Sequence, residues 1–156
     1  MIRLDIKDNV QDVINQLTEL GVNTKYLQQN ILQKTIRGAQ SSVKKSLRSS
    51  GLKVRTGKLL KSYKVKVYKD KGYAILFPYG MGGIATAHNE GLLIKAKSHK
   101  YLCFQVNGHW VKTKQIQLKK VPFFHDGISN YESTKMNEDV RIVTEKIIEK
   151  WNAKGQ

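Results

Sequence analysis

Cysteine and proline are nearly missing from this chain, and acidic residues are nearly missing from its middle. Of 156 residues, one is cysteine and two are proline. The lone Cys103 closes no intrachain disulfide and builds no thiolate metal cluster. It stands in an apolar stretch, so it is expected to be a small core or sheet residue rather than a nucleophile. No run of 18 apolar residues occurs, and no apolar stretch of signal-peptide length opens the chain. A protein made and used in the cytosol, or built there into a particle, is expected, with no membrane contact. Of the four histidines, His88, His99, His109 and His125, none has a second ligand at i, i+4, and there is no His-Glu-x-x-His. A metal site would need long-range assembly, and neither metal nor cofactor is expected. Gly80, Gly82 and Gly83 read as a flexible loop. They are not a phosphate loop, because no Gly-Lys-Ser/Thr follows and no helical pattern opens there.

What is present in excess is lysine. The net charge is +16, and lysine outnumbers arginine 23 to 5. Residues 34–120 hold 20 lysines and arginines against two acids, Asp70 and Glu90, a net +18, while the flanking segments are each −1. Such a field attracts polyanions: nucleic acid, anionic lipid or an acidic protein surface. Lysine is a diffuse point charge, whereas arginine forks onto bases and phosphates. The bias therefore argues against a sequence-specific operator binder. Tyr63, Tyr68 and Tyr73 interleave with the bases of residues 44–71, as in single-strand binders, but Tyr63 is in phase with Val65 and Val67 and so belongs to a core. No RNA-recognition, KH or zinc-finger signature occurs.

Hydrophobic residues make up 40% of the chain and charged residues 26%, which suits one soluble domain with a real core over residues 1–156. Ile2, Leu4 and Ile6 alternate with charged residues as a half-buried strand does. Val10 to Leu20 form an amphipathic helix pattern that Gly21 stops. From Thr24, a narrow stripe of Leu27, Ile31, Thr35, Ala39, Val43 and Leu47 predicts a long helix. Tyr63 to Val67 and Tyr73 to Phe77 read as strands around an Asp70-Lys71-Gly72 turn. Asn107-Gly108 suits a two-residue type I′ hairpin turn. That turn would place Val106 opposite His109, Phe104 opposite Val111 and Leu102 opposite Thr113. Ile116 and Leu118 fall out of phase, so a bulge or bend is expected near Lys114-Gln115. After Pro122-Phe123-Phe124 the chain returns to helix, opened by Ile128 and Tyr131, with a break within residues 132–137. The fold class is α+β: a mainly antiparallel sheet of about four to five strands, packed with a long N-terminal helix and a C-terminal helix.

His88-Asn89-Glu90 is the one short cluster with an acid–base look. Read as an enzyme site, His88 would be a general base partnered by Glu90. Read structurally, it is a polar loop beside a sheet, with Gly91 allowing the turn. The structural reading is preferred.

Three motif segments carry a resemblance. They are Ile84-Ala85-Thr86-Ala87-His88-Asn89-Glu90-Gly91, then Tyr101 to Lys112 with its Gly-His-Trp-Val-Lys strand, then Lys119-Lys120-Val121-Pro122-Phe123-Phe124. Thr56-Gly57-Lys58-Leu59-Leu60-Lys61-Ser62 adds a Thr-Gly-x-Leu-x-x-Ser turn. In this order they resemble the virion-morphogenesis, or tail-completion, proteins of tailed bacteriophages and prophages. The resemblance implies a non-enzymatic structural protein of the virion. It would act in head–tail joining at the neck, as a hexameric ring between the connector and the tail terminator or tube. The loops around 51–57 and 80–100 are glycine-containing, lysine-rich and without a clear core stripe, so they are the expected neighbour contacts, with Arg55, Lys58, Lys61, His88, Glu90, Lys95, Lys97 and Lys100 as candidate contact residues; the basic block allows non-specific contact with DNA. The other reading is a basic nucleic-acid-binding protein or small RNase-type toxin, driven by the +18 block.

Overall fold

The computed structural model describes residues 2–4, 24–52, 57–97, 99–106 and 108–153. The helix pattern at 10–20, the stop at Gly21, Ile6, Arg55 and Asn107 lie outside the described residues.

The predicted long helix is α1 (Thr24–Ser49), and its stripe is buried from end to end. Leu27, Ala39 and Val43 have no exposed surface at all. Spacing of three and four residues puts these side chains on one face of a 3.6-residue helix. Thr35 is tolerated inside because its hydroxyl donates back to Ile31 O at 2.9 Å.

A short helix α2 (Lys58–Ser62) leads into β2 (Tyr63–Tyr68), a 3-10 turn at Lys69–Lys71 and β3 (Tyr73–Pro78). With β1 (Ile2–Leu4) they form an antiparallel sheet of order β1-β3-β2. Val65 pairs with Leu76 and Val67 with Ala74, while Ile2 pairs with Leu76 from the other side. The inward residues Tyr63, Ala74 and Leu76 are buried against Ile36, Ala39, Val43 and Leu47 of α1. Each large apolar side chain so enclosed contributes roughly 1.5–3 kcal/mol.

The C-terminal helical segment is broken as expected, into α4 (Phe123–Thr134) and α5 (Met136–Asn152), with Lys135 between them. Helix α1 packs against both, and against β2 and β3. Phe123 is buried and meets the Tyr63 ring edge-on at 6.3 Å. Gly127 lets α4 approach α1 closely: a Cβ there would lie 2.6 Å from Val43 Cα. At the α4–α5 break the Tyr131 hydroxyl donates to buried Asp139 Oδ2 at 3.0 Å. Lys34 Nζ of α1 lies 3.4 Å from the other oxygen of that carboxylate. This one acid therefore ties three helices together. Burial and the nearby carboxylate push the Tyr131 hydroxyl well above its ordinary pKa.

Between sheet and α4 the chain forms α3 (Gly82–Glu90), β4 (Leu93–Lys95), β5 (Leu102–Val106), β6 (His109–Thr113) and β7 (Gln115–Gln117). The fold is α+β with a long N-terminal and a C-terminal helix. Its seven described strands are shared among three small antiparallel sheets, β1-β3-β2, β4-β7 and β5-β6, rather than joined in one of four to five. The division follows from the out-of-phase residues noted in the sequence. At Lys114 the chain leaves the β5 ladder, and Gln115–Gln117 pairs with β4 instead. The hairpin register is the one the Asn-Gly turn implies, with Val106 opposite His109 and Phe104 opposite Val111. Gly108 has φ +85°, as that turn requires.

Candidate interaction surface

Residues 82–90 correct the reading of a glycine loop: they are helical. The three nearby glycines suggested flexibility, but Ala85 and Ala87 are buried and alanine is the best helix former. The helix stops at Gly91, whose φ of +69° is the left-handed conformation natural to a residue without Cβ. The backbone N–H groups of Gly91 and Leu92 both donate to Ala87 O, which closes the C-terminus. A Cβ on Gly91 would also lie 2.7 Å from the Lys120 backbone nitrogen.

This turn lets Asn89 work in two directions. Its Oδ1 accepts the Phe124 backbone N–H at 3.1 Å, and its Nδ2 donates to Glu90 Oε1 at 2.6 Å. The residue at the helix cap position of α4 is Pro122, which has no side-chain oxygen to offer. Asn89 supplies the missing acceptor from another element. Val121 N–H donates to His88 O at 2.9 Å beside it. The His-Asn-Glu-Gly and Pro-Phe-Phe segments are thus one structural unit. Sequence reasoning passed over Asn89; the signal was a proline heading a helix with no capping side chain of its own.

The segment after Gly91 forms an arm of two ladders, β4–β7 and β5–β6. Ala96 N–H donates to Lys114 O at 2.9 Å and Leu118 N–H to Leu92 O at 3.2 Å, which extends the β4–β7 ladder at both ends. Together with α3 the arm encloses an open groove of about 720 Å³. Its lining is chiefly apolar, from Ile84 and Ala87 through Leu92, Leu93 and Ile94 to Phe104 and Ile116. Several of these stay in contact with solvent: Ile84 is 50% exposed and Leu93 44%. Trp110, on β6, is 71% exposed. Contiguous exposed apolar surface of this kind marks interaction sites. Cys103 is a sheet residue of β5, one of its two expected places; it is exposed rather than in the core, and it lines the groove. In the hairpin it pairs with Lys112, beside the Gln105–Trp110 pair.

The candidate contact residues divide between two places. His88, Lys95 and Lys97 line the groove. Lys100 is exposed nearby in sequence, with Nζ 5.7 Å from the centre of the Tyr101 ring. Glu90 ends α3 and faces a smaller recess of about 230 Å³ beside Asn89 and His125. Its second oxygen is 3.9 Å from Lys120 Nζ. The carboxylate thus has Asn89 and Lys120 as partners, and nothing in the described contacts directs it to His88. Lys58 and Lys61 are exposed on α2, which packs on α1, β2 and β3, away from the groove. Arg55 lies outside the described residues.

Among the described residues no three His, Cys, Asp or Glu side chains converge as metal ligands would, and no helix is long and apolar enough to cross a membrane. The interleaved tyrosines are engaged internally. Tyr63 is in the core, where burial pushes its hydroxyl up to about 12. Tyr68 and Tyr73 stack on each other at 4.8 Å, with Lys66 Nζ 4.7 Å from the Tyr68 ring. Comparison of the chain with protein-family models, with curated proteins and with solved structures gave no match.

Proposed function

We propose that this chain is a structural protein of a tailed-bacteriophage or prophage virion. In this reading it acts at the head–tail junction in tail completion, by stoichiometric docking without turnover. The observation that carries the reading is the arm. An apolar, lysine-bearing surface is built by α3 and the two ladders, and among the described residues its side chains Ile84, Leu92, Leu93 and Ile94 stay exposed. A surface of that kind suits a protein whose work is to meet neighbours. The sequence resemblance supports the same role, because three of its motif segments, residues 84–91, 101–112 and 119–124, fall in the arm and its attachment to α4. A partner with rotational symmetry is matched by a closed head-to-tail ring, and the resemblance implies six copies. The partners would be the connector side of the neck on one hand and the tail terminator or tube on the other.

Deletion of the gene from the phage or prophage that carries it tests the role. Filled heads and finished tails that fail to join, rescued by the wild-type gene, are the expected phenotype. Joined, infectious particles in its absence would overturn the proposal.

A further inference from the structure

The groove on the arm has three properties that together define its occupant. It is lined by apolar side chains, several of them half exposed. It is flanked by charge of one sign: Lys95 and Lys97 line it, and residues 91–120 carry seven lysines and no acid. Among the described residues no ion pair engages Lys95 or Lys97, whereas Lys120 is already beside Glu90. Two of its walls are strands with an open side, since β4 pairs only with β7 and β5 only with β6 among the described residues.

Each property removes a class of occupant. Apolar walls disfavour a polyanion with no apolar face, because burying phosphate against Leu93 and Ile94 desolvates charge without a partner. Lysines of one sign disfavour a second copy docked arm to arm, since like charges would be brought together. Strand edges accept an extended chain, whose main-chain groups complete the ladder while alternate side chains fill apolar positions. We infer that the groove takes an extended apolar segment of a partner protein that also carries carboxylates. The apolar side chains would sit between α3 and the two ladders, and the carboxylates would meet Lys95 and Lys97. This rests on the docking role proposed above and names the chemistry of the neighbour at this one surface.

Cys103 makes the test direct, because it is the only cysteine, lines the groove and is exposed. The full chain is mixed with three synthetic peptides of alternating leucine with glutamate, glutamine or lysine. The rate of Cys103 modification by a thiol reagent is then followed. The glutamate peptide is expected to slow modification at least fivefold, the glutamine peptide less, and the lysine peptide not at all. K95Q combined with K97Q should erase the difference between glutamate and glutamine peptides. L93S should abolish protection by either while leaving the circular dichroism spectrum unchanged. Equal protection by all three peptides, or by none, would overturn the inference. So would protection by a single-stranded oligonucleotide alone, or protection that rises with protein concentration in the absence of peptide. The docking role is judged separately, by whether the protein is present in purified virions. Peptide binding without virion incorporation would retire that role and leave the groove chemistry standing.

Discussion

Asn89 Oδ1 holds the backbone N–H of Phe124 at 3.1 Å, across 35 positions of chain. The bond joins the end of α3 to the first turn of α4, and so couples the arm to the helical core. The Val121 N–H to His88 O bond beside it makes the same connection through the backbone. Phe124 in turn stacks on Tyr63 at 6.0 Å, which carries the connection into the core.

Replacing Asn89 with alanine removes that acceptor. A lost helix cap costs about 1 kcal/mol, which lowers the midpoint of thermal unfolding by roughly 3 °C in a domain of this size. Thermal melts of N89A and N89D check it. The aspartate variant keeps an acceptor for Phe124 but sets a carboxylate against Glu90 in place of the donor, so at neutral pH it should be no more stable than N89A and should recover as the pH is lowered.

Gly127→Ala tests the close approach of α4 to α1. The added Cβ would stand 2.6 Å from the Val43 Cα, a backbone atom that cannot swing aside. Overpacking of this kind costs about 1–3 kcal/mol. Chemical denaturation should show a lower midpoint with an unchanged slope, and Gly82→Ala, which meets nothing within 4 Å, should not.

Much of the body was legible in the sequence because its parts obey one period each. The α1 stripe from Leu27 to Leu47 is a helix pattern against a single core, and all six of its residues are buried. The hairpin register followed from Asn107-Gly108 and agreed across Phe104 and Val111. The arm was harder. Alternation told which residues share a face but not whether anything covers that face, so it allowed Cys103 either a core or a sheet position, and Cys103 is an exposed sheet residue. Residues 82–90 were misread because glycine composition outweighed two buried alanines. Asn89 was only half legible: Pro122 heading a helix signals a missing capping acceptor, but no local pattern names a partner 35 positions away.

Alkaline pH should expose the buried tyrosines. Tyr63 is raised from an ordinary value near 10 to about 12, and Tyr131 is raised as well. A folded-state pKa above the unfolded one means that the folded protein holds its protons more tightly. The contribution is therefore complete below about pH 10 and lost as pH rises from there through the folded value. Stability measured by denaturant titration should be flat up to about pH 10 and then fall. Tyr63→Phe should make that fall shallower; an identical slope in the variant would remove Tyr63 from the account.

The basic block should give nucleic-acid binding that is weak and blind to sequence. Each phosphate neutralised releases counterions, so affinity should drop steeply between 50 and 200 mM salt, as is general for such contacts. Fluorescence anisotropy with two unrelated duplexes should return equal affinities. A preference for one sequence that survives high salt would favour a dedicated nucleic-acid binder over a virion protein.

If this chain is a ring component of a virion, as proposed, its place and copy number in the particle show it. Virions made by the phage or prophage that encodes the protein are purified, cross-linked and probed with antibody to the chain. The protein should be present and its cross-linked ladder should end at six copies, with Trp110→Ala or Leu93→Ser reducing incorporation while leaving the isolated fold intact. A ladder that stops at dimer, or purified virions without the protein, would contradict the proposal.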